Sequence, residues 1–284
     1  MKKQTSKFCS IERSKIIGWL TVPAALLIIW QVAAWRLDQP WLLPAPMRIL
    51  EQLCRPLRSH FASGSLLSNT TISLLRVFIG FLFAAIVGVS LGLLMGSIKP
   101  LRRWLEPTLE ILRPLCPIAW LPFAIVVFKL KTLPNLFGIQ FSHTILDQVQ
   151  LGMIFVIFIG GFFPVLTNTI DGVLSVRRNF ALLAQTLGAT RTQIFLYIHL
   201  PAAMPHILTG LRQGLGLCWF VIIAAEMMVG ADSGIGYLLM YAADNSAMDL
   251  VITCMLIIGS IGALMNFLMR RCLYQYVSWK GKEV

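Results

Sequence analysis

Charge is scarce in this chain. Of its 284 residues only 13% are Asp, Glu, Lys or Arg, and just 12 are acidic, whereas a water-soluble domain carries roughly 25% charged residues. So little polar surface excludes an ordinary soluble globule. The four histidines, His60, His143, His199 and His206, form neither HxxxH nor HExxH, which removes the usual helical metal sites. The six cysteines, Cys9, Cys54, Cys116, Cys218, Cys254 and Cys272, have no CxxC or other ligand spacing, and four fall in or beside apolar runs. They read as small membrane-buried side chains rather than a metal centre or a disulfide framework. No G-x-x-x-x-G-K-[ST] loop occurs, so the chain has no phosphate cradle for ATP. Nucleophiles and metal ligands nowhere converge, and an integral membrane enzyme is excluded with them.

What the chain has in abundance is apolar length. Its composition is 57% hydrophobic with a mean hydropathy of +0.77, and several runs reach the ~20 residues that cross a bilayer as a helix. The pattern predicts an all-α integral membrane protein with six spans, near 16–35, 70–96, 107–128, 151–170, 203–229 and 250–270. The first run, "IIGWLTVPAALLIIWQVAAW", is longer than the 7–15 residues of a usual signal core and reads as a retained helix.

The net charge of +12 does not point to nucleic acid, because the basic residues cap the apolar runs instead of forming a stripe interleaved with aromatics. They set topology. With the N-terminus inside, fifteen Lys and Arg lie in inner segments and six (Arg36, Arg48, Arg55, Arg58, Lys129 and Lys131) in outer ones; the excess places both termini in the cytoplasm. Three regions follow: residues 1–69, with a tail, the first span and a Pro-rich outer segment; a five-span core, 70–271; and a short tail, 272–284.

Between spans four and five lies "RRNFALLAQTLGATRTQIFLYIHLP", half polar and twice interrupted. Phe180, Leu183, Ala184 and Leu187 repeat at helical spacing and make one apolar face. Gly188 falls where a helix closes in a left-handed cap. Thr190 then caps a second short helix running through Tyr197, and Pro201 stops it. Such a helix–turn–helix either lies on lipid headgroups or docks into a groove of a partner protein.

The spacing of Ala184, three residues, Gly188, nine residues and Ile198-His199-Leu200-Pro201 resembles the "EAA" loop of ABC-importer permeases, EAA-x3-G-x9-I-x-L-P. Leu182 and Leu183 stand where that pattern has Glu and Ala. "SLLRVFIGF" (73–81), "FFPVLTNTIDGV" (162–173) and "PHILTGLRQGLGLCWFVIIAAEMMVGADSGIGYLL" (205–239) are similar to the nitrate, sulfonate, taurine and bicarbonate branch of that family, from about residue 42 onward. The resemblance implies a type I (MetI-like) permease of the bacterial inner membrane, paired with a second copy of itself as a homodimer. It implies an external solute-binding protein and a pair of cytoplasmic ATPase subunits, which hold ATP and Mg2+ and seat the 178–201 loop as a coupling helix. The segment 129–150 looks longer than the matching connection in relatives.

Other residues carry expectations of their own. Gly80, Ala84, Gly88, Gly92 and Gly96 recur every fourth position, a smooth face for a neighbouring span or a second copy. The prolines at 107, 114, 117 and 122 interrupt span three, which is tolerated where protein or a watery cavity satisfies the backbone. Glu106, Glu110 and Arg113 share one face and either line an inner mouth or form an ion-paired surface. Arg76, Arg212 and Glu226 are costly on lipid, so they face protein or water; Arg212 or Arg76 would compensate an anionic solute or pair with an acid such as Asp171, and Glu226 would shape an outer gate. Gly230, Gly234 and Gly236 form a tight outer loop entering a short helical piece. A competing reading, an ion-coupled secondary carrier, would use these intramembrane Arg and Glu residues as its relay.

Overall fold

Proline and glycine positions decide where the helices of this protein begin and end. The computed structural model describes residues 21, 24–37, 39, 41–58, 64–129, 131–132, 134, 145–176, 178–228 and 231–276. In chain order the helices are α1 (Ala24–Leu37), α2 (Pro46–Cys54), α3 (Leu66–Ser97), α4 (Lys99–Leu112), α5 (Leu121–Phe128), α6 (Leu151–Leu174), α7 (Arg178–Thr186), α8 (Arg191–Ile194), α9 (Leu200–Glu226), α10 (Ile235–Asp244) and α11 (Met248–Tyr276). Strand-like pairing among the described residues is confined to isolated bridge positions, among them the antiparallel bridge of Thr132 and Gln150. The all-α expectation holds.

The span count differs from the six expected. Four helices are long and apolar enough to cross a bilayer, at Leu66–Ser97, Leu151–Leu174, Thr192–Glu226 and Met248–Arg271. The expected third span is two pieces, Lys99–Leu112 and Pro117–Phe128, bent by 90°. Pro114 and Pro117 lack the N–H groups that would carry the helix onward, and the chain turns at Arg113–Cys116. Counted as one, the pair makes a fifth span. The start of the expected first span lies outside the described residues; the described helix, α1, has 14 residues, and Leu26, Leu27, Ile28 and Ile29 are exposed along it. Most of 135–150 and the tail beyond Tyr276 also lie outside the description.

The central element is α6, 61% of whose apolar window is buried, against 17% for α11. Along α3 the small residues step in register with α6. A Cβ on Gly80, Gly88, Gly92 or Gly96 would fall 2.6–2.9 Å from Ile157, Val165, Thr169 and Val173 respectively. The partner moves four residues on whenever the glycine does, so α3 and α6 run parallel, and the glycine stripe is spent inside one chain. On its other side α6 meets α9 antiparallel: Gly172 packs against Ala203 and His206, and Gly161 against Gly214 and Cys218. The Cys218 thiol is buried there, donating to the Ile157 carbonyl (3.4 Å), and the Cys254 thiol is buried on α11. Close backbone approach of this kind replaces the hydrophobic drive that helices lose in lipid. Finally α11 lies antiparallel to α9, with Trp219 Nε1 donating to the Ile258 carbonyl (3.1 Å), and α2 is tied to its first turn by Gln52 Nε2 to Asp249 Oδ2 (3.1 Å).

Candidate coupling loop, polar node and cavity

Three features occupy three levels of the helix stack. At one end, α7 closes through a complete left-handed cap. Gly188 has φ +82°, Gly188 N donates to Gln185 O and Ala189 N to Ala184 O, both at 3.0 Å, so the last carbonyls of α7 are satisfied. Thr190 then opens α8: Gln193 N donates to Thr190 Oγ1 (3.4 Å) while Thr190 N donates back to Gln193 Oε1 (2.8 Å), a reciprocal cap. Pro201 does not stop the second helix. A wider π turn, Phe195–His199, precedes it, and Pro201 lies in the first turn of α9, where a missing N–H costs nothing. The chain therefore runs unbroken from Thr192 to Glu226. Leu183 and Leu187 are 60% and 86% exposed, with Phe180 and Leu182 beside them. Ala184 is half-buried, and a Cβ on Gly188 would meet nothing within 4 Å. Ile198 and Leu200 are half-buried, Leu200 against Val173, Ala203 and Ile207, which anchors the loop to the spans.

At the opposite end Arg76 and Glu226 meet. Arg76 Nη1 donates to Glu226 Oε1 at 2.8 Å, and both side chains are fully buried. Arg76 also donates to the Ser233 carbonyl (2.8 Å), Ser233 Oγ (2.9 Å) and the Gln148 carbonyl (Nε, 3.2 Å). Glu226 accepts from Ser73 Oγ (2.8 Å) and Gly236 N (3.1 Å). Ser73 Oγ and Asn69 Oδ1 accept from Ile235 N (2.9 Å) and Gly234 N (2.8 Å). Each charge is thus both paired and hydrogen-bonded, the condition for keeping ions away from water. Gly234, at φ +117°, could hold no side chain: a Cβ would land on the Glu226 carboxyl. Gly236 packs as closely, against the Ile223 carbonyl and Glu226. Gly230 lies outside the described residues. The expectation of Asp171 as an arginine's partner fails, because Asp171 lies on α6 near the other end.

Between these levels the bend at Arg113–Cys116 opens a cavity of about 390 Å³ against α6 and α9, lined among others by Arg113, Thr167, Asn168, Gln213 and Phe220. Asn168 Nδ2 donates to Gln213 Oε1 (3.0 Å) and to the Pro164 carbonyl (2.8 Å). Gln213 is the middle residue of α9, about 20 Å from either end at 1.5 Å per residue. A smaller cavity of about 210 Å³ adjoins it, with Glu106, Glu110, Arg113 and Asp171 in its lining. Arg212 faces neither; its Nε donates to Asn266 Oδ1 of α11 at 2.7 Å.

Sequence reasoning found the charged residues and missed their polar partners. Asn69, Ser73 and Arg76 repeat at helical spacing in one apolar run, and Asn168 and Gln213 interrupt two others; those patterns were the available signal.

Residues 86–277 match the family described as binding-protein-dependent transport system inner membrane component. The chain belongs to that family. It is 37% identical over 270 residues to a putative ABC transporter permease protein of Methanocaldococcus jannaschii, covering 95% of this chain and 94% of the relative. It is 33% identical over 270 residues to the nitrate import permease protein of Synechocystis, covering 93% and 90%. Among solved structures, an inward-facing form of the MetNI methionine ABC transporter shares its fold with a TM-score of 0.56 at 18% identity, over 80% of this chain and 97% of that one. The permease is thus an inner-membrane transport subunit built on the MetI-like helix arrangement.

Proposed function

We propose that this chain moves a small anionic solute of the nitrate, sulfonate, taurine or bicarbonate kind across the inner membrane by alternating access. A separate pair of ATPase subunits, which bind the ATP and Mg2+, drives it through the 178–201 loop. A second copy of the chain completes the path, and an external binding protein delivers the solute. In this reading the loop and both termini are cytoplasmic, and the Arg76–Glu226 end faces outward.

The observation that carries the reading is the loop. It is capped at both turns, it exposes an apolar face on Leu182, Leu183 and Leu187, and its second helix continues without a break into α9. Ala184 and Gly188 lie where a partner groove would close, and Ile198, Leu200 and Pro201 join the loop to the span. A surface helix that only rested on headgroups would not need rigid connection to a span. Arg113 and Glu110 line the path at the bend, whereas Arg212 braces α9 on α11. Gly230, Gly234 and Gly236 shape the outward loop that closes over Glu226.

An ion-coupled carrier is the weaker reading: family membership speaks against it, and its relay residues, Arg76 and Glu226, are fully consumed by each other and their neighbours. The test is purification of the chain with its ATPase in nanodiscs, with and without Gly188→Trp and Ala184→Arg. Wild type should retain the ATPase and hydrolyse ATP faster with loaded binding protein, and both variants should lose it. Association that is absent, or indifferent to both changes, sinks the coupling role.

A further inference from the structure

A third cavity, of about 920 Å³, lies behind the loop. Gln185 of α7 lines it, and Gln185 is two residues from both Leu183 and Leu187, about 160° around the helix. The cavity is therefore on the span side of the loop, and the leucine face offered to a partner protein is the other one. Its remaining walls come from the α3–α4 junction (Ile98, Lys99, Arg102), the end of α6 (Leu174) and the π turn (Phe195, His199). Two chemistries meet in it. Exposed Lys99 and half-buried Arg102 and His199 line it, and among the described residues no carboxylate does; Glu106, 3.5 Å from Arg102 Nε, stands outside the lining. Ile98 and Leu174 also line it and are exposed, so bare apolar surface borders the basic groups.

The level of the cavity decides between occupants. The apolar helices α3 and α6 end at Ser97 and Leu174, so the cavity lies where spans leave the hydrocarbon and enter the headgroup layer. Farther along α4, Trp104 is 83% exposed, and Trp is the residue type that settles at that level. Water or a free phosphate would satisfy the basic groups and leave Ile98 and Leu174 bare. A lipid with an anionic head answers both, and basic pockets between spans at this depth suit such heads. We propose that the cavity binds an anionic glycerophospholipid, its phosphate on Lys99 and Arg102 and the start of its acyl chains over Ile98 and Leu174. Seated there, the lipid bridges the loop to the ends of α3 and α6, so the charge of the surrounding bilayer sets how firmly the loop is held.

The test is binding of three probes to the delipidated full-length chain in detergent, read as adducts by native mass spectrometry. The probes are phosphatidylglycerol, phosphatidylcholine with the same acyl chains, and glycerol 3-phosphate. Phosphatidylglycerol should bind roughly tenfold more tightly than phosphatidylcholine, and glycerol 3-phosphate should not be retained. Lys99→Gln together with Arg102→Gln should bring the two lipids to within about twofold of each other. Lys99→Gln alone, at an exposed position, should weaken phosphatidylglycerol roughly fivefold, and it decides the matter if the double variant does not fold. Arg103→Gln removes a neighbouring charge that does not line the cavity, and should leave the preference as it is. The inference is overturned if phosphatidylcholine binds as tightly as phosphatidylglycerol, or if Arg103→Gln costs as much as Lys99→Gln, which makes the preference one of general charge. It is equally overturned if glycerol 3-phosphate binds as tightly as the lipid, which makes the cavity a site for soluble phosphates. Neither the ATPase nor a solute enters the measurement, so its outcome is separate from that of the coupling test.

Discussion

Arg76 and Glu226 stand 150 residues apart in sequence and 2.8 Å apart in space, with neither side chain reaching solvent. The pair joins the first third of α3 to the end of α9, and its partners bring in Gln148 and the turn before α10.

Removing one member leaves the other as an uncompensated buried charge. Glu226→Ala should therefore destabilise the protein by about 3–5 kcal/mol, read as an earlier thermal transition of the detergent-solubilised chain. The double change Arg76→Leu with Glu226→Leu should recover much of that loss. A single variant that melts with the wild type would show that water reaches the pair.

Gly234 and Gly259 make a matched contrast. A Cβ at Gly234 collides with the Glu226 carboxyl at a positive φ, while one at Gly259, within α11, meets nothing within 4 Å. Gly234→Ala should lower stability and the yield of folded protein; Gly259→Ala should leave it level or raise it by up to about 1 kcal/mol. Thermal melting of the two side by side checks the prediction, and equal effects would contradict it.

Thr190 caps the short second helix in the loop through its hydroxyl, which accepts from Gln193 N. Thr190→Ala should cost about 0.5–2 kcal/mol locally, seen as faster amide hydrogen exchange over 191–197 with no change in α3 or α6. Unchanged exchange would mean that the cap is redundant.

Gly92 lies in the close seam of α3 and α6, where an added Cβ falls 2.7 Å from Thr169. Gly92→Leu should force the helices apart and lose the folded monomer in size-exclusion chromatography. Gly216→Leu, on an open face of α9, should elute as wild type does.

Much of this architecture was legible in the sequence because apolar length and small-residue spacing are local properties. The glycine stripe of α3, the left-handed cap at Gly188 and the Thr190 cap all follow from residues within a turn or two of each other. The bend in the third span was half legible: its prolines were visible, but whether they kink a span or fold it through 90° depends on α6 and α9 filling the angle. Pro201 misled for a similar reason, since a proline stops one helix or starts the next according to the turn before it, here a π turn. The polar node was the least legible part. Arg76, Gln148 and the stretch from Glu226 to Ser233 come from three distant segments, and nothing in their local spacing says which charge answers which.

The unbroken run from Thr192 to Glu226 gives the two ends of the molecule a common mechanical element. At 1.5 Å per residue its 35 residues form a strut about 50 Å long. A tilt of about 10° about its middle would swing each end by about 5 Å, in opposite senses. A rigid tilt that moves the Thr192 end would also move Glu226 in the clasp with Arg76 at the far end, so leverage is built into the connectivity of one helix.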